Sequence, residues 1–403
     1  MLRLTAFVIV FSLAAPAQDA LRPIFDGKTL KGWTQCNGNA TYKVDNGTIL
    51  GTTVAGSPNS FLCTDREYGD FVLELEIKND VALNSGVQIR SHRYAADSKV
   101  LTNNGKQIVE RKHPAGRVYG YQVEVATETG GASGGIYDEA RRGWLHNVSP
   151  DPAAGKAFKD NQWNKYRIEA EGDHIRTWIN GVACADVRDS ADLSGFIGLQ
   201  VHAFTGEKPA QVRFRNIRIQ DKGRHTWKSL FDGKTMSGWE QKGPGKWTIE
   251  DGAFHAVSVD GETRTGTMMA DRDVRDVTLR VMFRMLGKGE SNSGIFVRAD
   301  KTTLAGYEVE IDEKKGTGGL FEVGGRRWVT GPEDNAALRV NDWNEMIASL
   351  HGDRLVFHLN GIKTLDLPND TQGKKEGRIA LQIHNKRTTE IFFKDVAILE
   401  KAK

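Results

Sequence analysis

The sequence predicts an all-β protein made of two tandem β-sandwiches of the jelly-roll kind. Three observations predict it. Apolar residues recur with period two, turn signals fall roughly every ten residues, and most motifs appear twice in unchanged order. No long stretch carries a convincing 3.6-residue apolar period.

The chain opens on an address. Arg3 precedes a 12-residue apolar run, Leu4 to Ala15, and Ala15-Pro16-Ala17 supplies small residues at a cleavage site. That pattern predicts a signal peptide over 1–17, since the run is too short for a membrane span of ~20 residues. The expected protein is exported, periplasmic or secreted, with no membrane span.

From there the chain is one unit written twice. Phe25–Trp33 (FDGKTLKGW) returns as Phe231–Trp239 (FDGKTMSGW), and Asn84–Arg90 returns as Asn292–Arg298. Gly120–Glu124 matches Gly306–Glu310, Trp163-Asn164 matches Trp343-Asn344, and Gly198–His202 matches Ala380–His384. Such self-similarity marks a tandem duplication. We place the domains at 18–222 and 223–403, with the joint in the polar stretch Asp221 to His225.

Strands are legible within each unit. Phe71–Ile77, Val87–Arg90 and Tyr166–Glu169 alternate, and His174–Ile179 runs into Asn180-Gly181, a hairpin turn signal. Asp45-Asn46-Gly47 and Glu250-Asp251-Gly252 are turns of the same type, and the 44 glycines fit many short strands.

Composition excludes several classes. Lys and Arg total 55 against 52 Asp and Glu, a formal charge of +3, which gives no electrostatic reason to bind nucleic acid. Charged residues at 27% and hydrophobic ones at 39% are those of a globular chain. No dinucleotide, P-loop or zinc-protease motif is present. Gly130–Gly135 resembles a phosphate loop but lacks the following Lys and a helix. Three cysteines are too few for a disulfide scaffold, although export permits one bridge. Cys36 and Cys63 are the expected pair, because the repeat replaces both, with Lys242 and Met269; Cys184 is expected as a free, buried thiol. The turns Asn79-Asp80 and Asp189–Asp192 have residue types that suit a divalent ion such as calcium, but they suit solvated turns better. A metal is left open.

Strand parity gathers polar residues on one face. With Val87 and Ile89 inward, Gln88 and Arg90 face out; with Val123 inward, so do Gln122 and Glu124; with Val201 inward, Gln200 and His202. The second unit repeats this with Arg298, Glu308, Glu310, Asp312, Gln382 and His384. Gln and Arg suit planar hydrogen bonds to hydroxyls, and Trp suits the apolar face of a pyranose ring. Trp144 and Trp178 are the candidate plates, with Trp328 and His358 as their counterparts; Trp33, Trp163, Trp239 and Trp343 suit the core.

These motifs together (FDGKxLxGW, NSG[VI]x[IV]R, GY[QE]VE, WN, NG, LQxH and Arg215–Ile219) resemble the 3-keto-disaccharide hydrolase family, over about residues 22–220 and again over 227–400. The resemblance implies a concanavalin A-like fold and an exported enzyme that cleaves 3-keto-glycosides. The first unit keeps the family signature over Gly134–Trp144, whereas the second has Gly319-Leu320-Phe321-Glu322 in that place.

A ketone at C3 acidifies the hydrogen at C2, so removal of that proton can expel the glycosidic oxygen from C1. The chemistry needs a base, a donor for the enolate oxygen, and an acid for the leaving group. Glu124 or His202 is the candidate base, Arg90 the enolate partner, and Asp138 or the other member of the pair the acid. Gln88, Gln122, Gln200, Trp144 and Trp178 are the candidate substrate-binding residues. Direct hydrolysis by the carboxylates of Glu124 and Asp138 competes with this, as does a metal held by Glu and His. The alternative function is a non-catalytic, lectin-like carbohydrate-binding protein. The first unit is the expected catalytic one: 29 residues, 91–119, separate its Arg90 and Gly120 motifs, against seven, 299–305, in the second. The longer connection, with His92, Arg93, Arg111, His113 and Arg117, can wall a pocket. The second-unit equivalents are Arg298, Glu308, Glu310 and His384.

Overall fold

A computed structural model describes residues 20–80, 83–103, 108–206, 208–333 and 335–402, with the side chain of Asn103 excepted. The expected signal peptide lies outside the described residues.

Alternation produces two sheets in each half, facing one another across an apolar core. In the first half, the front sheet runs in the spatial order Gly143–His146, Ile136–Glu139, Val118–Val125, Ser85–Arg93, Phe196–Val201, Ser60–Thr64, Trp33–Cys36. Its back sheet runs Val182–Arg188, His174–Ile179, Asn164–Glu171, Asp70–Asn79, Gln211–Gly223, Thr48–Thr52, Thr41–Asp45. Neighbours pair antiparallel throughout, and the second half repeats both orders strand for strand, from Trp239–Lys242 to Glu390–Lys401. Each half is therefore a two-sheet jelly roll. Chain order and space differ, so the face of each sheet collects residues from distant segments.

The inward residues behave as parity requires. Val87, Ile89, Tyr121, Val123 and Leu199 of the front sheet are fully buried against Phe71, Leu73 and Tyr166 of the back sheet. The Asn-Gly hairpins form as the sequence suggests, with Asn180 and Asn360 in the left-handed region at φ 50° and 51°.

The parity argument fails at Arg90, for a definable reason. Between Ile89 and His92 the strand carries one residue more than either neighbour, a β-bulge centred on Arg90 at φ 46°. The bulge turns Arg90 inward, where it is 0% exposed. Its Nε donates to the Gly69 carbonyl at 2.7 Å, Nη1 to the Gly172 carbonyl at 2.6 Å, and Nη2 to Asp70 at 3.0 Å. Gly120 makes room for the bulge: at φ 126°, a Cβ there would lie 2.7 Å from Ser91 Oγ. Arg298 repeats the device at φ 57°, donating to the carbonyls of Arg275, Gly352 and Leu350. The arginine of the NSGxxxR motif ties front sheet to back sheet and is not an enolate partner.

The expected Cys36–Cys63 bridge is also corrected. All three cysteines are free thiols. In the ladder, Cys36 faces Phe61 and Thr34 faces Cys63, so the two cysteines are diagonal neighbours whose thiols touch without being bonded. They sit instead in a small apolar patch with Phe61, Val118 and Phe196.

A candidate active site on the front face of the first domain

The outward glutamines are buried rather than solvated. Gln88 and Gln200 are 0% exposed and Gln122 only 3%. Gln88 Nε2 and Gln200 Nε2 both donate to Gln122 Oε1 at 2.8 Å, which leaves Gln122 Nε2 to donate to Glu124 Oε2 at 2.9 Å. The chain of amides thus has a direction: it orients one carboxylate. Gln122 reaches the cavity described next, whereas Gln88 and Gln200 stand behind it and do not touch it.

That cavity, about 330 Å³, is bordered by Glu124, Gln122, Asn84, His202 and Asn59 on one side and by Tyr137, Glu139, Trp144, Arg111, His113 and Arg117 on the other. Residues 91–119 supply the last three. They fold into a hairpin, Ser98–Asn103 paired with Ile108–His113, which walls the face. Glu124 is 6% exposed and also accepts from Asn84 Nδ2. Burial pushes its carboxyl above the usual carboxylate range, against the pull of the Asn84 and Gln122 amides and of His202. His202 is half-buried at the rim, its Nδ1 2.7 Å from the Ala203 carbonyl. Asn59 links the rims, donating to Glu139 at 3.2 Å and accepting from the Ala203 amide at 2.9 Å. Glu139 is ion-paired with Arg117. Burial, followed by Arg117 and Arg111, holds the His113 imidazole below its ordinary range. Burial pushes the Tyr137 phenol up, with Glu139 adding to it.

Two sequence candidates lie elsewhere. Asp138 points into the sandwich, since its strand turns Ile136 and Asp138 inward and Tyr137 and Glu139 outward. It is 0% exposed and held by Arg141 and Arg142, while Arg142 also binds Asp189, the acceptor of the Tyr121 hydroxyl. The second domain repeats this cluster with Glu322, Arg326, Asp370 and Tyr307. Asp138 is a structural anion, not an acid for the leaving group, and Glu139 is the carboxylate of that strand that faces the cavity. Trp178 faces outward as expected but from the back sheet, where Arg176 covers its ring at 5.4 Å. The parity of Ile136–Glu139 could have picked out Tyr137 and Glu139; nothing in the sequence marked Asn59.

The residues of the two acidic turns are already occupied. Asn79 donates to the Leu83 carbonyl at 2.6 Å, Asp80 accepts from the Gln211 amide at 2.8 Å, and Asp189 binds Arg142. Among the described residues no group of three or more His, Cys, Asp or Glu is placed to hold a metal ion, and no helix is long and apolar enough to cross a membrane.

On the second domain the same face has changed character. Phe296 stands in place of Gln88, Phe321 pairs with Glu308 as Tyr137 pairs with Gln122, and Val323 pairs with Gly306 as Glu139 pairs with Gly120. Met269, Phe296 and Ala380 form an apolar patch there, joined by Val323. Glu308 and Glu310 are crowded together; burial, with Asp312 adding, raises Glu310 to about 7. Asn292 Nδ2 donates to Glu310 at 2.7 Å, and burial lowers His384. A proton that the folded state keeps and the unfolded chain releases stabilises the fold below the ordinary value of 4.5 and is lost as pH rises to about 7. Wild-type stability should therefore fall relative to Glu310→Gln across that window, as urea denaturation at stepped pH would measure.

With this geometry in view, the comparison with known families is decisive. Residues 20–220 and 226–399 each match the 3-keto-alpha-glucoside-1,2-lyase-like domain. The chain belongs to that family, in two copies. No curated protein matches it. Among solved structures, a Parabacteroides distasonis protein provisionally named a glycosyl hydrolase is 18% identical, covering 43% of this chain and 98% of its own, at a TM-score of 0.34. The carbohydrate-binding module CBM66 of Bacillus subtilis is 18% identical, covering 46% and 93%, at 0.27. A Bacillus subtilis protein of unknown function with a galectin-like fold is 12% identical, covering 44% and 100%, at 0.35.

Proposed function

We propose that the first-domain cavity cleaves 3-keto-glycosides by elimination across C1 and C2, followed by addition of water. The observation that carries this reading is Glu124: a nearly buried carboxylate with raised proton affinity, aimed by an amide chain into a cavity with a cationic wall. A base poised nearer neutrality is the one suited to removing a carbon-bound proton.

Glu124 takes the C2 proton, and the electron pair moves onto the C3 oxygen as an enolate. Arg111 is exposed and has no ion-pair partner among the described residues, so it and Arg117 are the donors for that oxygen. The enolate collapses with expulsion of the C1 oxygen, whose proton comes from His202 at the rim. Water adds across the resulting double bond and restores the keto sugar. Gln122, Asn84 and Asn59 bind hydroxyls, and Trp144 offers its exposed ring to a pyranose face. The second domain, with Phe321 and Val323 in place of Tyr137 and Glu139, supports the site.

The test compares a 3-keto-disaccharide with its unoxidised parent. Sugar should be released from the keto compound alone. Binding without release would favour the lectin-like alternative, and equal cleavage of the parent would favour direct hydrolysis.

A further inference from the structure

The second domain reaches the edge of this cavity. Its turn at Asn360–Lys363 closes a back-sheet hairpin, and Arg142 Nη1 donates to the Gly361 carbonyl at 3.3 Å. Beside that contact His358 Nε2 lies 3.4 Å from Asp189, and Arg354 pairs with Asp186 across the interface. From the other side, Ile108 on the first domain's hairpin packs onto the core of the second. Between these contacts lies a second cavity of about 550 Å³. It shares Arg111, His113, Tyr137, Ala140 and Trp144 with the Glu124 cavity, so the two spaces meet where the Trp144 ring stands edge-on to Tyr137 at 5.3 Å.

We infer that this interdomain cleft holds the leaving group of the substrate, and that the leaving group is an uncharged sugar; the inference rests on the elimination reading of the Glu124 cavity. Three features carry it. The cleft adjoins the cavity in which C1 would sit, across the five residues that line both, so a substituent on C1 has a walled space beside it. Trp144 is 43% exposed and belongs to both spaces, offering a plate where one ring gives way to the next. Apart from Arg111, which the cleft shares with the Glu124 cavity, its charged groups are already matched: Arg354 with Asp186 and Asp366, Lys363 with Asp366 at 3.1 Å, and Arg188 with Asp173 at 2.7 Å. An anionic group would have to compete with those carboxylates, whereas hydroxyls can accept from the cations and donate to the anions at once. The turn Gly361–Lys363, from the domain that has lost its own site, then becomes a specificity element for the first.

Two measurements test this. In a crystal of Glu124→Gln with a 3-keto-disaccharide, the keto ring should lie beside position 124 and the second ring between Trp144 and the 361–363 turn. A second ring directed away from the second domain would overturn the inference while leaving the elimination reading intact. A keto ring nowhere near position 124 would overturn both. In kinetics, Ile362→Arg narrows the cleft from the second domain. It should raise KM for the disaccharide by about 10-fold or more and leave a methyl 3-keto-glycoside within about twofold. Equal effects on the two substrates would contradict the inference.

Discussion

Glu124→Gln is expected to lower kcat on a 3-keto-disaccharide by about 10²–10⁴-fold, the contribution of a positioned general base, with thermal unfolding little changed. The side chain accepts from Gln122, whose own amide oxygen is held by both Gln88 and Gln200. A carboxamide of the same shape fills the same space but has no basic oxygen to take the C2 proton. The matched change in the second domain, Glu310→Gln, should leave kcat within about twofold, because Glu310 faces a surface with Phe321 and Val323 in place of Tyr137 and Glu139. Steady-state kinetics on the two purified variants measures both. Loss of turnover in Glu310→Gln but not in Glu124→Gln would mean that the domains have the opposite roles.

The largest effect on stability is expected at Arg90. Arg90→Met keeps most of the volume but removes the donors that satisfy the Gly69 and Gly172 carbonyls, and it leaves the buried Asp70 carboxylate with only His225 and the Gly172 amide. Breaking a buried pair by removing one partner costs about 3–5 kcal/mol. Urea denaturation should show that loss, while the kcat of the remaining folded protein stays within about twofold of wild type. A variant of normal stability with no turnover would return Arg90 to the enolate.

Alternation and repetition made much of the fold legible. The inward residues Val87, Val123 and Leu199 declare themselves by their neighbours, and so do the Asn-Gly turns. Gln122, Glu124 and His202 were placed on one face by the same argument, and the structure brings them to one cavity. Arg90 escaped because a bulge changes parity without changing composition; the Gly120 that permits it looks like any turn glycine in the sequence. Asp138 has the charge such a site needs, although Ile136, two residues earlier, already assigns it inward. Trp178 had the right parity on the wrong sheet, since parity does not reveal which sheet a strand joins. The arginines and histidine of residues 91–119 were visible as a long polar connection, but their aim depends on the hairpin. The joint loss of both cysteines from the repeat points to their proximity, and the structure shows diagonal neighbours with free thiols.

The central claim is that cleavage begins with loss of the C2 proton, and solvent deuterium tests it most directly. The protein is incubated with a 3-keto-disaccharide in D₂O, and the released keto sugar is examined by NMR before free keto sugar exchanges on its own. Elimination and readdition of water should place one deuterium at C2 of every molecule released, with release by Glu124→Gln slowed by about 10²–10⁴-fold. Release of a sugar that still carries its original hydrogen at C2 would contradict the account.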